Sequence, residues 1–225
     1  MSSRLVEVEP ERLTGWVQRF TASHGAAQLA ESPERLVLRA ADGETADLEV
    51  PWPALRAPLS SSAVAEDDDD VGASVAALAA HAAADRTAVL LLLRRGGWAV
   101  GLARGGELLD GTHGTRYVQS RTAAGGWSQQ RYARRRANQA DGLVGAAAEG
   151  LVRLLAQGPP PEVVVPGGDR QLVADVLAAV PAVVRDRLDQ LPRGPLLDVP
   201  DPRRRVLEEV AARARCVRVR VATNS

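Results

Sequence analysis

Residues 87–110 read TAVLLLLRRGGWAVGLARGGELLD, a stretch in which three apolar runs are separated by two Gly-Gly pairs. Each run has the length of a β-strand, and the pairs Gly96-Gly97 and Gly105-Gly106 are typical of tight turns between antiparallel strands. We therefore predict an antiparallel meander with strands at 87–94, 98–104 and 106–110.

The segments after the meander predict a mixed α/β sheet with helices packed against it. An extended piece at 112–122 leads to Gly125-Gly126, and a long helix is predicted from about Ser128 to Ala156. A strand follows at 162–167 and is expected in the middle of the sheet, and Asp169 caps the next helix. The segment at 180–191 fits either one helix or a strand and a helix. The last elements are a helix after Asp201-Pro202 and a strand at 216–223.

Residues 1–58 predict a small N-terminal α/β module. It consists of a strand at 4–9, a helix from Pro10 to about Ser23, and a hairpin formed by 35–40 and 46–52. The next residues, 59–72, are rich in serine and aspartate and offer little to bury, so we interpret them as an acidic loop or linker rather than a mimic of nucleic acid. The second domain is then expected to span 73–225.

The composition excludes several kinds of site. The formal net charge of zero argues against a uniformly basic nucleic-acid binder, so the local placement of charge matters more than the total. The single cysteine, Cys216, excludes an internal disulfide and a multi-cysteine zinc site, and the three histidines lack the spacing of metal ligands. We therefore expect no metal and no cofactor.

The length of the apolar runs bears on where in the cell the protein is found. The longest strongly apolar run, 88–93, is far too short to cross a bilayer, and the first residues carry acids where a signal peptide is apolar. We expect a cytoplasmic protein without a membrane partner. Nothing in the sequence indicates an oligomeric state.

Positive charge is concentrated at the start of the predicted long helix. All 28 lysine or arginine positions carry arginine, and four of them fall within two turns after Gly125-Gly126. The helix dipole favours acids there, and no nearby acid offsets the repulsion, so the arrangement suits a surface that grips phosphates better than a merely solvated helix face. The arginine cluster consists of Arg131, Arg134, Arg135 and Arg136. Arg116 and Arg121, just upstream, would extend the same basic surface.

Apolar residues recur on one side of this helix at about 100° per residue. They predict the face that packs against the sheet: Ala133, Ala137, Ala140, Val144, Ala147, Leu151 and Leu154. Arg131 and Arg135 fall on the opposite side, and Arg136 lies nearer the packed flank.

The residues before the cluster indicate how a water is positioned. Gly125 and Gly126 allow backbone angles that other residues avoid and a close approach to a ligand, whereas Trp127 either anchors the glycine pair or stacks on a nucleobase. The amides of Gln129 and Gln130 do not titrate near neutral pH, so they orient a water rather than act as general bases. Backbone N–H groups at a helix start stabilise an oxyanion. Such a site suits an activated ester, of which the ester that joins a peptide to tRNA is an example.

Residues 116–140, RYVQSRTAAGGWSQQRYARRRANQA, resemble the actinobacterial branch of the Vms-like release factors. These are peptidyl-tRNA hydrolases related to the catalytic domain of eukaryotic and archaeal class I release factors. The order of elements and the segment DVPDPRRRVLEEV at 198–210 extend the resemblance, less specifically, over about 75–225. It implies a release-factor catalytic domain with an RNase H-like mixed sheet at 73–225.

The resemblance also implies an activity and its partners. The protein is expected to release nascent chains from peptidyl-tRNA on stalled or split large ribosomal subunits, with the arginine cluster holding rRNA or tRNA phosphates. It implies that a glutamine shortly after Gly-Gly directs the water. Since Trp127 and Ser128 intervene here, Gln129 is preferred as the first reachable amide, and Gln130 is the alternate. His113 is a candidate contact to RNA, with a structural hydrogen bond as the other interpretation.

Two other functions remain as alternatives. A non-catalytic ribosome- or RNA-binding module of the same fold is compatible with the two residues inserted between Gly126 and Gln129. A nuclease is disfavoured, because that chemistry needs clustered carboxylates for metal ions, and the only dense acidic run, Asp67–Asp70, falls in the predicted loop.

Overall fold

A computed structural model of the chain describes residues 3–55, 64–65, 68–115 and 128–223, with side chains for 3–55, 71–115 and 142–222. The chain divides into two compact units. Unit 1 contains Met1–Asp85 and Ala212–Ser225, and unit 2 contains Arg86–Ala211. The described elements confirm the predicted mixed α/β class, with the strands arranged in two sheets.

The elements of the described residues, in chain order, are β1 (Ser3–Val8), α1 (Pro10–His24), β2 (Ala27–Ser32), β3 (Arg35–Ala40), β4 (Glu44–Glu49), β5 (Val64–Ala65), α2 (Asp68–Ala83), β6 (Thr87–Arg94), β7 (Gly97–Arg104), β8 (Glu107–Thr115), α3 (Ser128–Gln157), β9 (Val163–Gly168), α4 (Arg170–Ala179), α5 (Ala182–Asp189), α6 (Arg204–Arg213) and β10 (Val217–Thr223).

Unit 1 is built on an antiparallel six-stranded sheet in the order β1-β10-β4-β3-β2-β5. Helices α1 and α2 contribute to the hydrophobic core on one face of this sheet. Leu13, Val17 and Phe20 are buried there because they recur at helical spacing along α1. The helix ends as predicted at Gly25, whose positive φ of 87° lets its N–H bond the Thr21 carbonyl.

The last strand of the chain lies in unit 1, although the sequence order placed it with the second domain. Strand β10 pairs with β1 and β4, and its alternating Val217 and Val219 are fully buried in the unit 1 core. The units thus divide the chain differently from the predicted boundaries at 58 and 73. Apolar alternation identifies a strand, but it does not identify the strand's partners.

Part of the segment predicted as an acidic loop forms the start of a helix. Residues Asp68, Asp69 and Asp70 were assigned to a loop, whereas they form the first turn of α2. Carboxylates are stabilising at this position because the N-terminal end of a helix carries partial positive charge. The prediction for the rest of 59–72 falls largely outside the described residues.

Unit 2 contains the predicted meander. Its four-stranded sheet has the order β8-β7-β6-β9, with β6 and β7 antiparallel and β6 and β9 parallel. Strand β9 was expected in the middle of the sheet but lies at its edge, where Val164 and Gly167 make single bridges to Arg193 and Leu197. These bridges cover the outer side of β9, which explains why an edge strand has so apolar a sequence.

Helices cover both faces of this sheet. Helices α3 and α4 share a core with one face of β6 and β7, and Leu207 of α6 reaches Gly101 and Gly111 on the other face. The turn from β9 into α4 requires glycine, because Gly168 has a φ of +86° and a Cβ there would lie 2.1 Å from the Leu93 carbonyl oxygen. Asp169 caps α4 as predicted and accepts hydrogen bonds from the next helical N–H groups.

Candidate functional site

The candidate site lies on the connection between β8 and α3 in unit 2. Strand β8 ends at Thr115 and α3 begins at Ser128, so residues 116–127 join them. Strand β8 is the edge of the sheet and pairs with β7, with Trp98 opposite Gly114 and Gly97 opposite Thr115. Strands β7 and β8 and helix α3 therefore determine where the two ends of the connection lie.

A single indole packs between the strand and the helix that flank this connection. Trp98 of β7 is only 9% exposed. A Cβ added at Gly114 of β8 would lie 2.7 Å from its Nε1, and a Cβ added at Gly150 of α3 would lie 2.9 Å from its Cη2 and Cζ3. Both glycines are needed for this close approach, and Trp98 thus packs α3, at Gly150, against the end of β8.

We expect Gly150→Ala to lower the free energy of unfolding by about 1–3 kcal/mol, the usual effect of overfilling a packed core. The new methyl would meet the rigid indole at 2.9 Å and Cγ2 of Thr112 at 3.2 Å. Urea unfolding followed by far-UV circular dichroism measures the change.

Gly145→Ala is the matched control on the same helix. A Cβ at Gly145 meets nothing within 4 Å. This variant is expected to raise stability by up to about 1 kcal/mol, because alanine favours the helix more than glycine. Equal effects of the two substitutions would contradict the packing of α3 against Trp98.

Helix α3 is the longest described helix, with 30 residues and a length of about 45 Å at about 1.5 Å per residue. Its packed face is confirmed where side chains are described: Val144, Ala147, Leu151 and Leu154 are buried in the unit 2 core. The predicted continuation through Ala133, Ala137 and Ala140 involves side chains outside the described residues.

The predicted glutamines and the arginine cluster all lie on α3. Gln129 and Gln130 directly follow its first residue, and the cluster spans its next two turns. The first turn contains no acid. Since the N-terminal end of a helix is partially positive, four arginines in this position are electrostatically unfavourable until anions approach. Their side chains are not among the described ones.

The other predicted site residues are partly described. Gly125, Gly126, Trp127, Arg116 and Arg121 lie outside the described residues. His113 is exposed on β8, where it pairs with Ala99. Thr112 contacts the α3 side of the strand, so His113 points to the opposite face, away from the packed part of the helix.

Trp98 is the supporting residue that the sequence analysis did not identify. It was taken as one residue of a strand. Two features of the sequence could have identified it: aromatic residues make up only 3% of the chain, and Trp98 immediately follows a Gly-Gly turn.

Two further observations concern the described residues. They contain no group of three or more His, Cys, Asp or Glu side chains that could hold a metal ion. None of the helices described combines the length and the apolar character needed to cross a membrane.

Comparison with known proteins identifies a family. The sequence matches the family model of the Actinobacteria/chloroflexi VLRF1 release factor over residues 86–220, which is more than half of the 225 residues. This match confirms the resemblance seen in residues 116–140. No curated protein matches the chain.

Two solved structures are similar to the chain at low sequence identity. The archaeal translation termination factor aRF1 is 17% identical, with a TM-score of 0.39, and the match covers 57% of this chain and 36% of that one. Pelota from Archaeoglobus fulgidus is 12% identical, with a TM-score of 0.29, and the match covers 94% of this chain and 61% of that one. The chain thus spans less than two thirds of either structure.

Proposed function

We propose that this protein, which belongs to the Actinobacteria/chloroflexi VLRF1 release factor family, is a cytoplasmic peptidyl-tRNA hydrolase. It releases nascent chains from tRNA on stalled or split large ribosomal subunits. The observation that carries the proposal is the family match, because residues 86–220 include the meander, the glycine pair and α3. No metal ion or organic cofactor takes part.

The proposed reaction is hydrolysis of the ester between the peptide and the tRNA 3′ end. Gln129, or Gln130 as the alternate, orients a water that attacks the ester carbonyl. The bond between the carbonyl carbon and the ribose oxygen breaks, the ribose oxygen takes up one proton of the water, and the other proton passes to solvent as the peptide leaves as a carboxylate. N–H groups at the start of α3 stabilise the developing oxyanion. A neutral amide suffices because the ester is already activated.

Binding is assigned to the charged residues and the glycine pair of the connection and to the arginines that follow it. Gly125 and Gly126 let the chain enter the peptidyl-transferase centre, and Trp127 either anchors the glycine pair or stacks on a base. The arginine cluster holds rRNA or tRNA phosphates, with Arg116 and Arg121 extending the surface. The absence of acid from the first turn of α3 supports this role, since phosphates would relieve the repulsion there. His113 contributes at most a peripheral contact.

The proposal is tested by incubating the purified chain with large subunits that carry a labelled peptidyl-tRNA. We expect free peptide together with tRNA of unchanged length. Shortened tRNA would show a nuclease instead.

The second candidate is a non-catalytic ribosome-binding module. It is favoured by one observation, the insertion of Trp127 and Ser128 between Gly126 and Gln129. It predicts salt-sensitive binding to large subunits without release of peptide. Binding without turnover in the same assay would establish it.

A further inference from the structure

A groove of about 420 Å³ lies within unit 1, and its lining includes no element of the proposed hydrolytic site. It is formed by the C-terminal half of α1 and by residues of β1, β4 and β10. Aromatic residues are few in this chain, yet the lining of the groove combines aromatic rings with charged groups. The side chains concerned are Arg4, Trp16, Arg19, Phe20, His24 and Glu44.

The rings form a continuous wall along α1. Trp16 stacks on Phe20 with centroids 5.6 Å apart and planes at 11°, and Phe20 meets His24 at 4.9 Å. Positions four residues apart share one face of a helix, so the three rings follow one another along the groove. Phe20 is buried, whereas Trp16 and His24 remain partly exposed. The wall therefore offers exposed aromatic surface on a rigid element.

Two arginines border this wall without acidic partners. Most described arginines of unit 1 are ion-paired: Arg12, Arg35, Arg213, Arg215, Arg218 and Arg220. Among the described residues of the unit, Arg4, Arg19 and Arg39 have no ion pair, and two of these three line the groove. All three are exposed.

The position of Arg4 departs from the pattern of its strand. Residues 4, 6 and 8 of β1 share one face, and Val6 and Val8 pack in or against the unit 1 core. Arg4 pairs with Val221 of β10 and thus places a cation on the side of the sheet that faces the helices. An apolar residue would continue the core there, whereas Arg4 places an exposed cation beside the rings of α1.

We propose that this groove binds single-stranded RNA, with a base against Trp16 and the adjoining phosphates on Arg4 and Arg19. Guanidinium groups match phosphate oxygens in a bidentate manner, and bases stack on aromatic side chains with little sequence preference. Glu44 places a carboxylate in the same lining, which disfavours a bare anion and suits the amino or hydroxyl groups of a nucleotide. The site rests on the proposed function in one respect, namely that RNA is the cellular ligand.

Binding is tested by fluorescence anisotropy with a labelled ten-nucleotide oligouridine. The full chain is used in a background in which the four residues of the arginine cluster are replaced by glutamine, so that α3 does not dominate. Arg4→Gln with Arg19→Gln is expected to weaken binding at least tenfold. The slope of log K against log salt should fall by about 1.4, since each phosphate contact to a single strand contributes about 0.7.

Arg39→Gln is the matched control, because Arg39 is also exposed and unpaired but lies outside the groove. It should change the affinity less than twofold. Trp16→Leu should weaken binding at least fivefold, whereas Trp16→Phe should retain most of it, which separates stacking from charge.

Equal losses from the groove and control variants, absence of binding, or equal competition by polyglutamate or inorganic phosphate would overturn the proposal. The assay contains neither ribosomes nor peptidyl-tRNA. Its failure therefore leaves the hydrolase proposal standing, and failure of the release assay leaves the groove standing.

Discussion

Gln129→Ala is expected to slow peptide release from peptidyl-tRNA by at least about 100-fold, comparable to the loss of one oxyanion-hole donor in other hydrolases. The amide both donates and accepts hydrogen bonds, so alanine removes the group that is preferred for orienting the water. Gln130→Ala should stay close to the wild-type rate. Single-turnover release on large subunits measures the chemical step separately from binding.

Binding provides the control for this pair of variants. Both should sediment with large subunits as the wild type does, because the arginine cluster is unchanged. A severe loss of peptide release with Gln130→Ala alone would show that Gln130 orients the water. Wild-type rates for both variants would refute the proposed mechanism.

Sequence patterns predicted a helix or strand correctly where local signals determine its start and end. The bounds of α3 were predicted within one residue of Ser128–Gln157, because glycines and prolines flank an uninterrupted helical period. The meander was predicted for the same reason, since Gly-Gly pairs separate apolar runs of strand length. The segment at 180–191, which was left between two interpretations, contains the helix α5.

The same local patterns could not predict which strands pair with one another. Strand β2 was not predicted, because AQLAES is weakly apolar and becomes a strand by pairing with β3. Strand β10 was assigned to the wrong sheet, since its alternation fits any partner with one buried face. For the candidate site, the sequence placed the glutamines and arginines at the start of α3, but it did not indicate that Trp98 packs this helix against β8.

Trp98→Ala is expected to lower the free energy of unfolding of unit 2 by about 3–5 kcal/mol, the range found for large aromatic truncations in cores. The indole is 9% exposed and fills the space between Gly114 and Gly150. Neither glycine has a side chain to fill the cavity, so collapse around it is limited. Hydrogen exchange should localise the loss of protection to β8 and α3.

Peptide release should fall with this variant even at temperatures where the chain remains folded. The connection joins the end of β8 to the start of α3, so loosening the packing of the helix on the strand displaces its first turns, which carry the glutamines and the arginine cluster. Trp52→Ala is the matched control, because Trp52 is also a buried tryptophan but belongs to unit 1. It should destabilise unit 1 and leave the protection of β8 and α3 unchanged. Normal release by Trp98→Ala, with exchange in β8 and α3 unaltered, would show that the indole does not position the site.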